Sequence, residues 1–529
     1  MEVVRSSVLC RLLTPLWLCL VRFYGHSVLA AILRGVSRGW RRACSGSVLV
    51  GFLTREGVLS RAWKHSLLCR GLTGLISLPV IFLQWLYRRG TSAFENSVAA
   101  RIVFAVVEQT PLTVGWLMLT FMVIPYENWN NSYSFMGFVL CLALAMAGGM
   151  RKPDYRMALA DVGPWLAAFA GFVALAWPLS VYRNLSGRFL FFHITCMLCV
   201  LVLVTTVERR EQLERLLGVS SAAMIVMSLF GLWQRIQGVE VNPSYVDLTV
   251  NKGMPGRVFG FYENPNAFGE VLLMLLPLAV ALMLCSRSWG GRFLGLVGIG
   301  TGCMAIAMTY SRAAWIGLVV AAFLFVLLWK RKLILVAILA GFVGLAFLPD
   351  TVFNRILTIF NTSDTSTTSR FPYYHAAGQF LRIRPLTGAG LGTDAVRKAI
   401  SQLHLFHGKD VFVHCHDIYL QVWCETGIFG LITFVGGILW TFKRGVSAVS
   451  AGSCSRQTRL AVIGGISALM GAMVCGIADY IWNYPRVMLI FWFVCGLALA
   501  GIRLAAREGG SADSPRQKGD CNATEESLE

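Results

Sequence analysis

Charge is scarce in this 529-residue chain. Charged residues make up 14% of it against 56% hydrophobic residues, and the mean hydropathy is +0.63. A soluble domain of this length carries far more charge, so the composition excludes a water-soluble fold. Acids are scarcer than bases: 27 Asp and Glu stand against 47 Lys and Arg, a net charge of +20. That excess invites a nucleic-acid reading, but the basic residues fall in short loops and in the N-terminal region, so no nucleic-acid partner is expected. The 15 cysteines are scattered, mostly inside apolar segments where cysteine packs as a small hydrophobe, and no pair points to zinc or thiol exchange. No internal repeat is visible.

What the chain has in quantity is apolar runs long enough to cross a bilayer. Twelve spans are expected, at roughly 110-126, 133-150, 158-181, 188-207, 216-236, 267-286, 292-310, 313-330, 333-348, 418-442, 460-482 and 486-504. The fold class is therefore an all-α polytopic membrane protein of about twelve transmembrane helices. Arg151 with Lys152 and Arg156, Arg209 with Arg210 and Arg215, Arg287 with Arg292, Lys330 to Lys332, and Lys443 with Arg444, Arg456 and Arg459 follow the even-numbered spans. Basic short loops mark the cytoplasmic side. The loops at about 237-266, 311-312, 349-417 and 483-485 are then outside.

Residues 1-105 carry 14 Lys and Arg against 3 Glu and no Asp, and their apolar runs are short. This region reads as amphipathic helices on the anionic cytoplasmic leaflet, Leu12 to Trp40 with Arg22, Arg34 and Arg38 being the example. Segment 66-87, interrupted only by Arg70, is the exception that can insert. No small-residue cleavage site follows a clean apolar core, so no cleaved signal peptide is expected. The remaining divisions are transmembrane segments 106-348, an outer cap loop 349-417, transmembrane segments 418-505 and a disordered cytoplasmic tail 506-529.

Three polar marks sit where apolar segments meet outer loops: Arg257 to Glu270, Ser311-Arg312, and His416-Asp417. The cap loop between the second and third is too long for a mere connection, so it is expected to fold. Apolar residues at helical spacing within Tyr373 to Arg384 end at Pro385. Gly388-Ala389-Gly390-Leu391-Gly392 follows, either a plain turn or a backbone approach to a phosphate. His404, His407, His414 and His416 are half of the histidines in the chain. With Asp410 and Asp417 they raise the question of a metal, but no third ligand comes at a recognisable spacing, and neither metal nor cofactor is expected. His404 and His407 read as plain loop histidines. His416, at the mouth of a span, is placed to act as a general base.

Arginines at a membrane edge often only snorkel to headgroups. Arg257, ahead of the Asn264-Pro265-Asn266 turn, and Arg312, in a very short loop, are differently placed. Two guanidiniums on one face suit a diphosphate, which each can hold bidentately and neutralise as it leaves. Glu425 and Asp479 are acids within expected spans, where an unpaired charge is costly. Glu425 lies nine residues past His416, roughly on the same helix side, and can support it. Asp479 is either a site residue or the partner of Arg486.

Arg257 through Gly269, Ser311-Arg312-Ala313-Ala314-Trp315, the Pro385 to Gly392 turn, and His416-Asp417 followed by Gly427-Ile428-Phe429-Gly430 together resemble the O-antigen ligase and polymerase superfamily. The resemblance covers about 110-505. It implies a GT-C-like scaffold and metal-independent transfer of a glycan from an undecaprenyl-diphosphate donor to a glycan acceptor, at the outer face of the bacterial cytoplasmic membrane. It implies that His416 deprotonates the acceptor, that Arg257 and Arg312 bind the diphosphate, and that Arg370 contacts donor or sugar. Asp417, Glu425, Asn264 and Asn266 would support them. Ligases usually carry Asn, Ser or Gln after the histidine, where this chain has Asp417. A repeat-unit polymerase remains the alternative within the superfamily. A lipid-linked sugar flippase or transporter is the alternative outside it, opposed by polar marks on the rim rather than at the midplane.

Overall fold

The computed structural model describes residues 46-55, 57-242, 253-360, 368-408 and 411-512, with isolated positions between 15 and 39. Most of the Leu12 to Trp40 stretch, Asp410 and the tail beyond 512 lie outside the described residues. Two units are distinguished, 1-55 and 56-529. In the first, helix α1 (Val48–Thr54) is capped by Ser47, whose hydroxyl accepts from the Val50 amide.

The second unit contains only helices as regular elements among its described residues. It runs α2 (Val58–His65), α3 (Leu67–Arg89), α4 (Thr91–Asn96), α5 (Val98–Glu108), α6 (Thr110–Val123), α7 (Asn131–Gly148), α8 (Leu159–Val162), α9 (Pro164–Ala176), α10 (Arg183–Thr206) and α11 (Arg210–Gln237). It continues with α12 (Pro265–Cys285), α13 (Trp289–Met308), α14 (Arg312–Lys330), α15 (Ile334–Leu345), α16 (Asp350–Leu357), α17 (Phe371–Ile383), α18 (Thr393–Gln402), α19 (Ile418–Ser450), α20 (Arg456–Cys475) and α21 (Pro485–Ala512).

Among the described residues, 10 helices are long and apolar enough to cross a membrane, or 11 when the bent pair α5–α6 is taken as one span. Three places bear on the twelve expected spans. The segment at 158-181 is broken at Gly163, leaving the 13-residue α9. Residues 67-89 form a continuous 23-residue apolar helix, although Pro79 lies within it. The spans at 313-330 and 333-348 form one apolar stretch, Arg312–Leu345.

That stretch does not run straight. As a single 34-residue helix it would extend about 50 Å. Yet the Tyr310 hydroxyl lies 3.1 Å from Thr351 Oγ1, and Arg312 Nη1 donates to the Thr358 carbonyl at 2.8 Å. The chain bends back at Lys330, where φ −148° and ψ 84° leave the helical region and Arg331 and Lys332 enter a 3₁₀ turn. Three successive basic residues favour water over hydrocarbon there.

The most enclosed helices are α12, α20 and α21. Helix α20 packs against α14, α12 and α21, and small residues permit the approach: a Cβ on Gly317 of α14 would stand 2.6 Å from the Gly471 carbonyl oxygen of α20. Small residues at such crossings replace the hydrophobic drive that lipid does not provide. Outward faces such as Val319, Phe323, Leu339 and Phe342 stay apolar and exposed, as contact with acyl chains requires.

Between α15 and α19 the chain builds a cap from α16, α17 and α18. The α17 residues Tyr373, Ala376, Ala377, Phe380 and Leu381 pack with Val396, Ile400, Phe412, Cys415 and Cys424. This core ties the cap to the first turns of α19 and so positions the segment that carries His416.

Candidate active site

The geometry begins at a backbone junction. Helix α20 ends at Cys475, not at 482 as expected, and the Gly476 carbonyl accepts from the Ile418 amide at the start of α19. Asp479 therefore lies in the turn between α20 and α21 rather than inside a span. The 414-417 segment is held directly against that turn. His416 occupies the left-handed region, at φ 50°, a conformation that costs a non-glycine side chain about 1 kcal/mol or more and needs fixed surroundings.

Those surroundings are specific. The His416 amide donates to His414 Nδ1 at 3.1 Å, the Cys415 amide donates to Gln421 Oε1 at 3.0 Å, and the Tyr374 hydroxyl donates to the His416 carbonyl at 3.4 Å. The Tyr373 ring meets the imidazole edge-on, with centroids 5.0 Å apart. His416 Nδ1 stands 3.9 Å from Asp479 Oδ1, an ion-pair separation too long for a hydrogen bond. Nδ1 thus faces a carboxylate. The His416 side chain keeps 29% exposure, so the imidazole is reachable from outside the protein.

Asp479 is the centre of the constellation. Oδ1 accepts from the Tyr480 amide at 2.9 Å, and Oδ2 accepts from Asn266 Nδ2 at 3.1 Å. Asn266 Oδ1 in turn accepts from the Arg257 guanidinium, whose Nε donates to the Thr309 carbonyl at 2.6 Å. One amide side chain thus joins the cation of the first polar mark to the carboxylate beside the histidine. Burial by itself would raise the Asp479 carboxyl, but His416, Arg370 and His414 outweigh it and hold the group well below the usual carboxylate range. It is ionised at any working pH. Burial pushes His414 down to about 3, with the neighbouring His416 adding to the effect. Its Nδ1 accepts a hydrogen bond, so a neutral ring carries its proton on Nε2.

Arg257 also borders a cavity of about 630 Å³ lined by Trp233, Gln237, Glu240, Glu263 and Pro265. Gln234 shapes its wall by accepting from the Phe259 and Gly260 amides and donating to the Gly260 carbonyl. Arg312 opens α14 behind Ser311 and is bound to Thr358 of the cap. Arg355, buried in α16, approaches the Tyr310 carbonyl, so two cap-facing cations gather at the second mark. Arg370 precedes α17 and lies close enough to Asp479, His414 and Tyr374 for its charge to act on all three.

Other expected site residues have structural occupations. Asp417 caps α19, accepting from the Leu420 amide at 2.8 Å. The carboxylate beside His416 is Asp479, not this sequence neighbour. Asn264 caps α12 and accepts from the Asn266 amide at 2.8 Å, which sets the side chain two residues on. Glu425 is buried, and its Oε1 accepts from Gln421 at 2.8 Å and from the Tyr480 hydroxyl at 3.1 Å. Burial and that carboxylate keep the Tyr480 phenol well above its ordinary value, hence a donor. Glu425 therefore braces both Gln421 and Tyr480, one bond removed from the His416 segment and from Asp479.

The Gly388 to Gly392 run faces protein. The Cys424 carbonyl accepts from the Ala389 amide at 2.7 Å, the Ala389 carbonyl accepts from Val181 and Ser180, and a Cβ on Gly390 or Gly392 would overlap Ser180 or Phe189. Its close approach is made to helices, so the turn is a strap. Gly427 completes the strap. Its φ of 75° breaks α19, and a Cβ there would overlap the Leu386 carbonyl. Of the histidines, His404 and His407 line a separate groove of the cap. Among the described residues, no group of three or more His, Cys, Asp or Glu is arranged to hold a metal ion.

Sequence reasoning flagged Asp479 but left Arg486 as its alternative partner. The Arg486 guanidinium donates to the Ile124 and Phe261 carbonyls and stacks on Tyr262 at 4.1 Å. The buried Gln421 and Tyr480 were not anticipated as site neighbours, whereas Glu270 closes the first polar mark. Glu270 follows Asn266 by one turn, near enough for the Asp479 charge to act on it. The signal for such residues is a polar side chain in an otherwise apolar segment.

No curated protein matches the chain. The match that stands is to a family model, and it covers α13, α14, the cap and the first half of α19, including Arg312, Arg370, His416 and Glu425. Together with the apolar helices it describes an integral membrane protein, and the model matched over residues 294–435 is that of O-antigen ligase.

Proposed function

We propose that this protein is a glycosyltransferase that moves a glycan from an undecaprenyl-diphosphate carrier to an acceptor hydroxyl at the outer face of the cytoplasmic membrane. The observation that carries the reading is the chain Arg257–Asn266–Asp479–His416: a buried guanidinium, an amide, an ionised carboxylate and a reachable imidazole in one connected site. With Nδ1 facing Asp479, Nε2 is left to take the acceptor's proton. The acceptor oxygen attacks the anomeric carbon, the bond from that carbon to the diphosphate oxygen breaks, and undecaprenyl diphosphate departs with the electron pair. Asp479 orients the imidazole and stabilises the imidazolium, a role worth most where water is excluded. Arg257, Arg312 and Arg370 face the charge that grows on the diphosphate. No residue in this scheme requires a metal. The GT-C-like arrangement fits, with the reacting groups at the rim and the cap above them.

The test uses purified protein and its His416→Ala variant in detergent with EDTA, an undecaprenyl-diphosphate oligosaccharide and candidate acceptors. Release of undecaprenyl diphosphate by the wild type alone supports the reading. The acceptor consumed separates the ligase from the polymerase: a lipid core, polymer anchor or protein in one case, a second lipid-linked repeat unit in the other. Equal release by both proteins removes His416 from the chemistry. No turnover with any acceptor favours a transporter.

A further inference from the structure

The cap carries a second concavity that the transfer chemistry does not use, a groove of about 980 Å³. Its polar lining is basic. Arg397 and Lys398 project from α18, and His404 and His407 follow on the segment behind it. Asp394 is the acid of the lining, and it is shared by two guanidiniums, Arg397 at 2.9 Å and Arg188 at 2.7 Å. Lys398 lies over the Tyr182 ring at 4.9 Å. Among the described lining residues one carboxylate stands against two permanent cations, Arg397 and Lys398, with Arg188 beside that carboxylate, so the described lining is net positive. Arg397 and Arg188 keep 48% and 65% side-chain exposure, so the charge faces solvent.

Three further features narrow the ligand. Ser401 and Gln402 supply hydroxyl and amide groups and Phe406 an aromatic face, the combination that meets a sugar's hydroxyls and its apolar ring side. The volume exceeds that of a lone phosphate many times over. The groove is also one aromatic layer from the proposed base: Phe406 and Phe412 pack on Tyr373 at 4.7 and 5.4 Å, and Tyr373 meets His416. The cavity beside Arg257 has the opposite character, with Glu240 and Glu263 in its lining.

We propose that the cap groove binds an anionic saccharide, a carboxylate- or phosphate-bearing stretch of the glycan that is transferred or extended. The inference rests on the glycan-transfer reading for its biological ligand, but the binding is measured without turnover. The full-length protein in detergent is titrated with tetragalacturonate, neutral maltotetraose, glycerophosphoglycerol and inorganic phosphate. Tetragalacturonate is expected to bind at least about tenfold more tightly than maltotetraose and to weaken as ionic strength rises. It should weaken about tenfold in Arg397→Gln/Lys398→Gln, with unchanged melting temperature and unchanged lipid-diphosphate release from a neutral donor. If the double variant melts early, Lys398→Gln alone is compared. Equal binding of the acidic and neutral saccharides, or wild-type affinity in the variants, overturns the proposal. So does glycerophosphoglycerol or phosphate binding as tightly as the saccharide, which would make the groove a lipid-headgroup or phosphate site. Selective binding without any lipid-diphosphate release would keep the groove and remove the transferase reading.

Discussion

At one end of the bundle Asp161 is met by Arg503 at 3.1 Å, Lys64 at 3.7 Å and Arg444 at 3.8 Å. At the other, Asp479 is met by an amide of Asn266, a backbone amide and the imidazole of His416. The ends are far apart, since Arg486 and Arg503 of α21 are separated by about 25 Å of helix. Around Asp161 the cations also bind carbonyls of the protein: Arg503 donates to Val204 and Thr205, and Arg444 to Asp161 itself. Direct cation contacts spent on backbone make a staple between helices. Around Asp479 the contacts pass through a neutral amide to Arg257 and reach an imidazole that keeps an exposed edge. The same kinds of group thus serve cohesion at one end and, in the proposed reaction, proton transfer at the other, and the difference lies in what the partners are bound to.

The comparison is broken most severely at His416. His416→Ala should lower lipid-diphosphate release by about 10³-fold, within the range a general base supplies, while melting is nearly unchanged. Next in size is the pair of carboxylate substitutions. Asp479→Asn should reduce kcat by about 10²-fold, because the imidazolium formed in the reaction loses its counter-charge. Asp161→Asn should leave kcat within about twofold and instead cost roughly 2 kcal/mol of stability, seen as a lower melting temperature. Loss of activity in Asp161→Asn at full stability would erase the distinction between the two ends.

How much of this was legible follows from the range over which each signal acts. Hydropathy reports membrane residence residue by residue, so the long helices α10 to α13 and α19 to α21 stand near their expected positions. It does not report helix ends that depend on contacts. Gly163 breaks one expected span, and α20 ends early because the Gly476 carbonyl serves α19. His416, Arg257 and Asn266 were visible as polar residues at apolar borders. Asp417 was a supporting candidate by adjacency alone, which says nothing about direction: it is the cap of α19, and the carboxylate that faces His416 comes from 63 positions away. The glycine run stayed open between a plain turn and a phosphate loop, since the freedom glycine gives to backbone is the same whether a ligand or a helix approaches.

A smaller effect sharpens the amide link. Asn266→Ala removes both the acceptor for Arg257 and the donor to Asp479. It should raise the KM for the lipid-diphosphate donor about tenfold through a less fixed Arg257, with a lesser fall in kcat. Arg257→Lys should do the same, because an ammonium cannot hold the Thr309 carbonyl, Asn266 and a phosphate in one planar fork. If either variant changes kcat alone, Arg257 acts on the transition state without holding the ground-state donor.

The smallest effect concerns His414, and it tests whether the two adjacent imidazoles differ as their surroundings demand. Burial pushes the folded-state value of His414 down to about 3, below the ordinary 6.5. A depressed value means that the fold prefers the neutral ring. The stability this represents is complete above pH 6.5 and is lost progressively as pH falls from 6.5 towards 3. His414→Gln keeps a side-chain acceptor that can receive the His416 amide and removes the titration. Its melting temperature should therefore fall less steeply than the wild type's between pH 6.5 and 4, while the pH–rate profile above pH 6.5 keeps its shape. A variant whose melting follows the wild-type pH curve would show that His414 is charged in the folded protein. The cation beside Asp479 would then be shared by two imidazoles, and His416 would lose its separate standing as the base.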